Sequence, residues 1–177
     1  MTAPIDIPTL ETERLILRGF KEADIAAYAD FFASETSFFV GGPVEAWEAW
    51  RKFAVYPGHW ALLGYGPFAL EEKMTSAFVG VVGPWFPGGW PNREIMWAIM
   101  LGQDGKGYAT EAARATISFA VITLGWTRIV SHIDANNHAS IAVAQKLGAT
   151  YEGDAEFPFG TLGVYVHDLS RFSGTAA

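Results

Sequence analysis

One stretch restricts the fold more than any other. From Glu94 to Gly148 the chain runs through an apolar strand, a glycine-rich turn, a long helix, a second apolar strand and a capped helix. The strand Glu94–Met100 ends in Leu101-Gly102-Gln103-Asp104-Gly105, and the helix from Lys106 to Leu124 stops before Gly125, a residue suited to the left-handed position after a helix. The strand Arg128–Ile133 follows, then a helix with Asn137 as its N-cap, Leu147 at its end and Gly148 beyond it. A helix between two adjacent strands carries the chain back to its starting end, so those strands must be parallel.

The flanks carry shorter elements. Leu15–Arg18 reads as a strand, and Lys21–Ala33 as a helix with Ile25, Tyr28, Ala29 and Phe32 on one face. After Gly41-Gly42, Pro43 suits the first turn of a second helix whose apolar side is Val44, Trp47, Trp50 and Ala54. Trp60–Leu63 and Pro67–Glu71 read as strands about a Gly64-Tyr65-Gly66 turn, and Phe78–Gly83 as another. Pro84–Pro91 is a loop, and two strands close the chain near Thr150–Glu156 and Leu162–His167. The outer strands can pair antiparallel, so the sheet is mixed.

Composition narrows the function. The chain has 177 residues, a length for one domain over 1–177 with its core at 12–169, and 50% of them are hydrophobic, enough for a sizeable core. Cysteine is absent, which excludes a disulfide scaffold, a thiolate metal site and an acyl-cysteine intermediate. The net charge is −7 without a basic stripe, which argues against nucleic acid as a partner. Residues 1–88 hold 11 acids against 6 bases; this serves solubility, or a cationic substrate. No apolar run approaches the roughly 18–20 residues of a membrane span. Met1–Arg14 has no signal-peptide pattern, so a cytoplasmic protein is expected, with a frayed tail at Ser173–Ala177. His59, His138 and His167 fit no metal spacing and read as surface or loop residues, so no metal is expected.

Chemistry concentrates in Gln103-Asp104-Gly105-Lys106-Gly107-Tyr108-Ala109-Thr110-Glu111-Ala112. Two glycines before a helix let several N–H groups converge, and the helix N-terminus adds positive potential, so the loop suits a phosphate or pyrophosphate. A plain glycine turn is the other reading. The P-loop pattern fails, because Gly107 follows Lys106 and Met100 stands where its first glycine belongs. The Rossmann pattern fails at Thr110. One strand later, Asn137 and Ser140 share the first turn of the next helix, where Asn137 caps the helix and both can face a ligand.

These segments together resemble the GCN5-related N-acetyltransferase (GNAT) superfamily, in its RimJ/RimL-like branch. Thr12-Glu13-Arg14-Leu15-Ile16-Leu17-Arg18 is similar to that branch's opening, Gly105 to Ala112 to its acetyl-CoA loop, and Asn137-His138-Ala139-Ser140 with Lys146-Leu147-Gly148 to its next signature. The resemblance implies an α/β (α+β) fold: a mixed, twisted, mostly antiparallel sheet of about seven strands around a central parallel strand–helix–strand, with flanking helices. It implies acetyl-CoA as cosubstrate. The pantetheine arm would bond the backbone near Ala98 and Met100. The pyrophosphate would lie on Gly105, Lys106, Gly107, Tyr108, Ala109 and Thr110, with Asn137 and Ser140 alongside. Asp104 stands where the superfamily often has Gln or Arg, and as an acid it should point away.

The implied reaction is direct attack of a primary amine on the thioester. Ser140 is the expected proton donor to the departing thiolate, since Ala144 occupies the place of the tyrosine many relatives use; its alternative role is helix capping. Glu94 and His132 are the base candidates. The alternative for Glu94 is an exposed edge or an ion pair with Arg93 or Arg128, and for His132 a hydrogen-bonded strand histidine. Glu156 is a weaker third, and the proton can also leave through water. Trp85 and Trp90 are expected near the acceptor, while most other tryptophans pack the core. The acceptor is open among a protein N-terminus, a lysine and a small-molecule amine. A homodimer is compatible with the aromatic content. The rival reading is a non-catalytic acyl-CoA-binding or regulatory module on the same fold.

Overall fold

The structure, a computed structural model, describes residues 5–172, so the tail at Ser173–Ala177 lies outside it. In chain order its elements are β1 (Leu10–Glu11), β2 (Leu15–Arg18), α1 (Asp24–Phe32), a 3-10 turn (Glu35–Val40), α2 (Ala46–Leu63), β3 (Phe68–Glu72), β4 (Phe78–Trp85), β5 (Glu94–Ile99), α3 (Tyr108–Ile122), β6 (Val130–Ile133), α4 (His138–Lys146), β7 (Ala149–Phe157) and β8 (Gly160–His167). The strands form one sheet in the order β1-β2-β3-β4-β5-β6-β8-β7. Among the described residues only β5 and β6 pair in parallel, joined by α3 as the strand–helix–strand order requires. Eight strands stand where about seven were expected; the additional two-residue β1 pairs Leu10 with Leu17 and Glu11 with Ile16.

Alternation along the strands sends neighbouring residues to opposite faces. Val82 packs with Ala112, Ala113 and Ile117 of α3, and a register shift against Leu70 and Glu71 of β3 brings Val79 into the same cluster. Val81 and Ala98 pack with Tyr28 and Phe32 of α1 and Phe53 and Tyr56 of α2. The sheet thus lies between α1–α2 and α3–α4. Arg18 ties β2 to α1 and β3, bonding Asp24 at 2.8 and 2.9 Å and Glu71 at 2.6 Å.

The sequence reading errs most in α2. Trp60–Leu63 is its last turn, not a strand: the helix runs through Pro57 and stops at Gly64, whose φ is 73°. Its buried face is Ala49, Phe53, Tyr56, His59 and Trp60, whereas Trp47 and Trp50 are 61% and 55% exposed. The tryptophan spacing predicts a different face; the sheet accepts the row that brings Phe53 and Tyr56 against Tyr28.

Candidate active site

The parallel pair is short. β5 and β6 align only at Glu94 and Val130, with the Val130 N–H donating to the Arg93 carbonyl at 3.0 Å. Beyond that point side chains replace the backbone ladder. The Ser131 hydroxyl donates to the Ile95 carbonyl at 2.7 Å, and the His132 N–H donates to Glu94 Oε1 at 3.2 Å. The strands part, and a cleft of about 710 Å³ opens there. Glu94, His132, Trp97, Asn137 and Ser140 line it on the strand side, and Tyr28, Phe32, Tyr56, Trp85 and Trp90 on the other.

Glu94 is buried at the root of this split, neither on an exposed edge nor paired with an arginine. Its carboxylate accepts three donors: Trp90 Nε1–H at 2.7 Å, His132 Nδ1–H at 3.0 Å and the His132 backbone N–H. Arg128 instead pairs with Glu152, and Arg93 lies over the Trp126 ring. His132 Nε2 lies 3.3 Å from Asn92 Oδ1. Two base candidates from different strands thus form one hydrogen-bonded couple.

Asn137 caps α4 as read, its side chain accepting the Ser140 N–H at 3.1 Å. Ser140 Oγ accepts a hydrogen bond from Trp97 Nε1–H at 3.1 Å. The indole can only donate, so the serine proton remains free, and it has no acceptor among the described residues. Trp97 is a site residue that sequence reasoning missed. Its place on β5, three residues after Glu94, was visible; its reach to α4 depends on the fold. Ala144 is buried against Ile133 and Ala149.

The glycine loop lies apart from the residues lining the cleft. Gly105 and Gly107 have φ of 73° and 84°, which side-chain-bearing residues rarely adopt, and Gly107 is the N-cap of α3. The first N–H groups of such a helix lack intrahelical acceptors. The loop is braced from the turn between β1 and β2. Arg14 donates to the Lys106 carbonyl at 2.8 Å and to Glu111 Oε2 at 2.7 Å, while Thr12 donates to Glu111 Oε1 at 2.6 Å. Burial pushes the Glu111 carboxyl up, but bonds from Thr12 and Arg14 outweigh it and hold it below the ordinary range. Lys106 Nζ donates to Gln103, and Tyr108, buried, donates its hydroxyl to Glu72. Ala109 is buried, Thr110 half-buried and Asp104 exposed.

The edge of β5 differs from expectation by one residue. Ala98 pairs with Val81, and the Met100 N–H donates to the Val79 carbonyl at 3.0 Å, so both turn their backbone groups to β4. An antiparallel ladder alternates, so Ile95, Trp97 and Ile99 present theirs to the split, as the Ile95–Ser131 bond shows.

Other candidates fall away from the cleft. Glu156 is exposed on β7 and accepts from Thr161. His138 is exposed, but His59 and His167 are buried, against the surface reading. His59 stacks on Trp85, and His167 Nε2 reaches Ser131 at 3.0 Å under the split. The acids of the first half do not line the cleft; its two acids are Glu94 and Asp134. No group of three or more potential ligands gathers for a metal, and no helix is long and apolar enough to cross a membrane, among the described residues.

Comparison with known proteins adds to this geometry. A family model described as an acetyltransferase (GNAT) domain matches residues 14–150. The crystal structure of an acetyltransferase from Agrobacterium tumefaciens superposes with a TM-score of 0.84 at 35% identity, covering 95% of this chain and 98% of that one. An aminoglycoside acetyltransferase in complex with coenzyme A shares the fold, with a TM-score of 0.74 at 19% identity over 92% of this chain and 99% of its own. The uncharacterized protein YkkB of Bacillus subtilis is 34% identical over 93 residues, 50% of this chain; the match spans about half of that relative, 54% of its length.

Proposed function

Since the chain belongs to the GNAT acetyltransferase family, we propose that it moves an acetyl group from acetyl-CoA to a primary amine by direct attack, as a single cytoplasmic domain of the RimJ/RimL-like branch. The observation that carries this reading is the split itself: a carboxylate–imidazole couple and a serine with an uncommitted proton line one cleft. The opening Thr12–Arg18 supports the branch, because Thr12 and Arg14 hold the glycine loop.

The residues fit acetyl-CoA. Gly105 and Gly107 leave a backbone cradle, and the α3 N-terminus offers N–H donors and positive potential to a pyrophosphate. Trp97 and Ile99 would supply backbone bonds to the pantetheine arm in place of Ala98 and Met100. Bound there, acetyl-CoA supplies an activated thioester. The Glu94–His132 couple would take the ammonium proton, Glu94 keeping one lone-pair position open after three donors. An N–H from the free β5 edge would hold the carbonyl oxygen. Ser140, its oxygen fixed by Trp97, would give its proton to the sulfur and regain one from solvent.

The test is release of CoA thiol in an amine panel, with mass spectrometry of the products. The chain has no cysteine of its own to react with a thiol reagent. Amine-dependent thiol release with an acetylated product is expected. Tight acetyl-CoA binding without release for any amine would sink the transferase reading in favour of a binding module.

A further inference from the structure

The cleft has two ends of different chemistry. At the β6–α4 end stand Asp134, Asn137 and Ser140; the other end is built from α1, the 3-10 turn, α2 and Trp85. That second end is aromatic and holds no acid. Its single charge is Lys52. The ammonium sits 5.5 Å from the Phe32 ring centroid and close to Gly41, with no acidic partner among the described residues. A half-buried cation without a carboxylate, facing a cleft, calls for an anion.

A second feature points the same way. The Tyr28 and Tyr56 hydroxyls lie 3.0 Å apart, both on residues lining this end. Their mutual bond uses one of two protons, and the other has no acceptor among the described residues. Burial pushes both hydroxyls up, so both stay protonated and the spare proton remains a donor. An ammonium and a phenol proton in an apolar wall suit a carboxylate on an apolar body. They do not suit a polycation, because this end holds no acid to pair with one.

Resting on the transferase reading, we propose that the acceptor is a small primary amine with an aromatic or branched apolar body and a carboxylate, which Lys52 and the Tyr28–Tyr56 pair bind. The body would fill the aromatic end and leave the amine at the Glu94–His132 couple.

The test compares benzylamine with 4-(aminomethyl)benzoate, amines of similar basicity, on the full chain. The carboxylate should lower the calorimetric Kd and raise kcat/KM by about tenfold, as expected for a charge-assisted contact. Lys52→Met should shrink both ratios to below about twofold, and Lys52→Arg should largely restore them. Equal values for the two amines in the wild type, or an aminoglycoside with a higher kcat/KM than either, would overturn the proposal. A tenfold Kd preference without any thiol release would uphold the carboxylate subsite and overturn the transferase reading. Release that ignores the carboxylate would do the reverse.

Discussion

In the proposed reaction Ser140 is the proton donor to the sulfur, a role that position alone would give it. Its hydroxyl has little acidity, so its value lies in where the proton points. Trp97 Nε1 fixes the oxygen, and the proton is left for an acceptor in the split. Ser140→Ala should lower kcat by roughly tenfold to a few hundredfold, with little change in KM for acetyl-CoA, because the contact matters as charge develops on sulfur. Asn137→Ala should differ by lowering stability as well, by about 1 kcal/mol for a lost cap. Steady-state kinetics and melting temperatures separate the two, and wild-type kcat in Ser140→Ala would reduce Ser140 to a helix-turn residue. At Glu94 the expected loss is larger. Glu94→Gln keeps the shape of the couple and removes its negative charge, so kcat should fall about 10²–10⁴-fold. The deficit should shrink as pH approaches the acceptor's own pKa. An unaltered pH–rate profile would pass the role to His132 or to water, which His132→Ala then distinguishes.

At the scale of elements, the glycine loop and the turn between β1 and β2 act together. The signatures near Thr12 and near Gly105 are some ninety residues apart in sequence, yet Arg14 bonds both Lys106 and Glu111. That contact explains why an arginine and a threonine precede the first long strand and why an acid sits in the first turn of α3. An acid suits a helix N-terminus but would repel a pyrophosphate; Arg14 neutralises it. Gly107→Val forces a β-branched residue to a φ of 84°, and affinity for acetyl-CoA should drop at least tenfold. A Cβ there would meet only Arg14 Nη2, at 3.4 Å, so the fold should survive the change. Calorimetry reads the affinity; unchanged binding would remove the loop from the cofactor site.

The whole molecule depends on a polar joint beneath the split. Ser131 of β6 bonds Ile95 of β5 and His167 of β8, joining three strands where the parallel ladder has ended. Because the Ser131 proton goes to Ile95, His167 must donate from Nε2, which leaves its buried Nδ1 without a partner. Burial pushes this imidazole down to about 4. The folded state therefore resists a proton that the unfolded chain accepts near pH 6.5. The resulting stability is complete above about pH 6.5 and is lost as pH falls toward 4, by about 3 kcal/mol at most. Urea midpoints measured across that range should slope steeply for the wild type and less for His167→Gln. Parallel slopes would mean that His167 is not the group responsible.

The parallel β5–α3–β6 unit, the glycine turn into α3 and the Asn137 cap are all legible in the residues themselves. Each rests on contacts within a few residues, or on a period that burial of one face imposes. Glu94, His132 and Ser140 are legible too, but as separate candidates. That Glu94 and His132 are one couple emerges only from the fold, because they stand 38 positions apart and the parallel register at Val130 brings them together. The edge of β5 that faces the split was likewise invisible, since ladder alternation is set by the neighbour, β4, and not by the strand's own side chains. In α2 the local signals misled: Pro57-Gly58 suggests an ending, and exposed tryptophans mimic a core stripe. Packing on the sheet overrode both, because the buried row Ala49–Phe53–Tyr56–Trp60 gains more by leaving water than Trp47 and Trp50 lose by remaining in it.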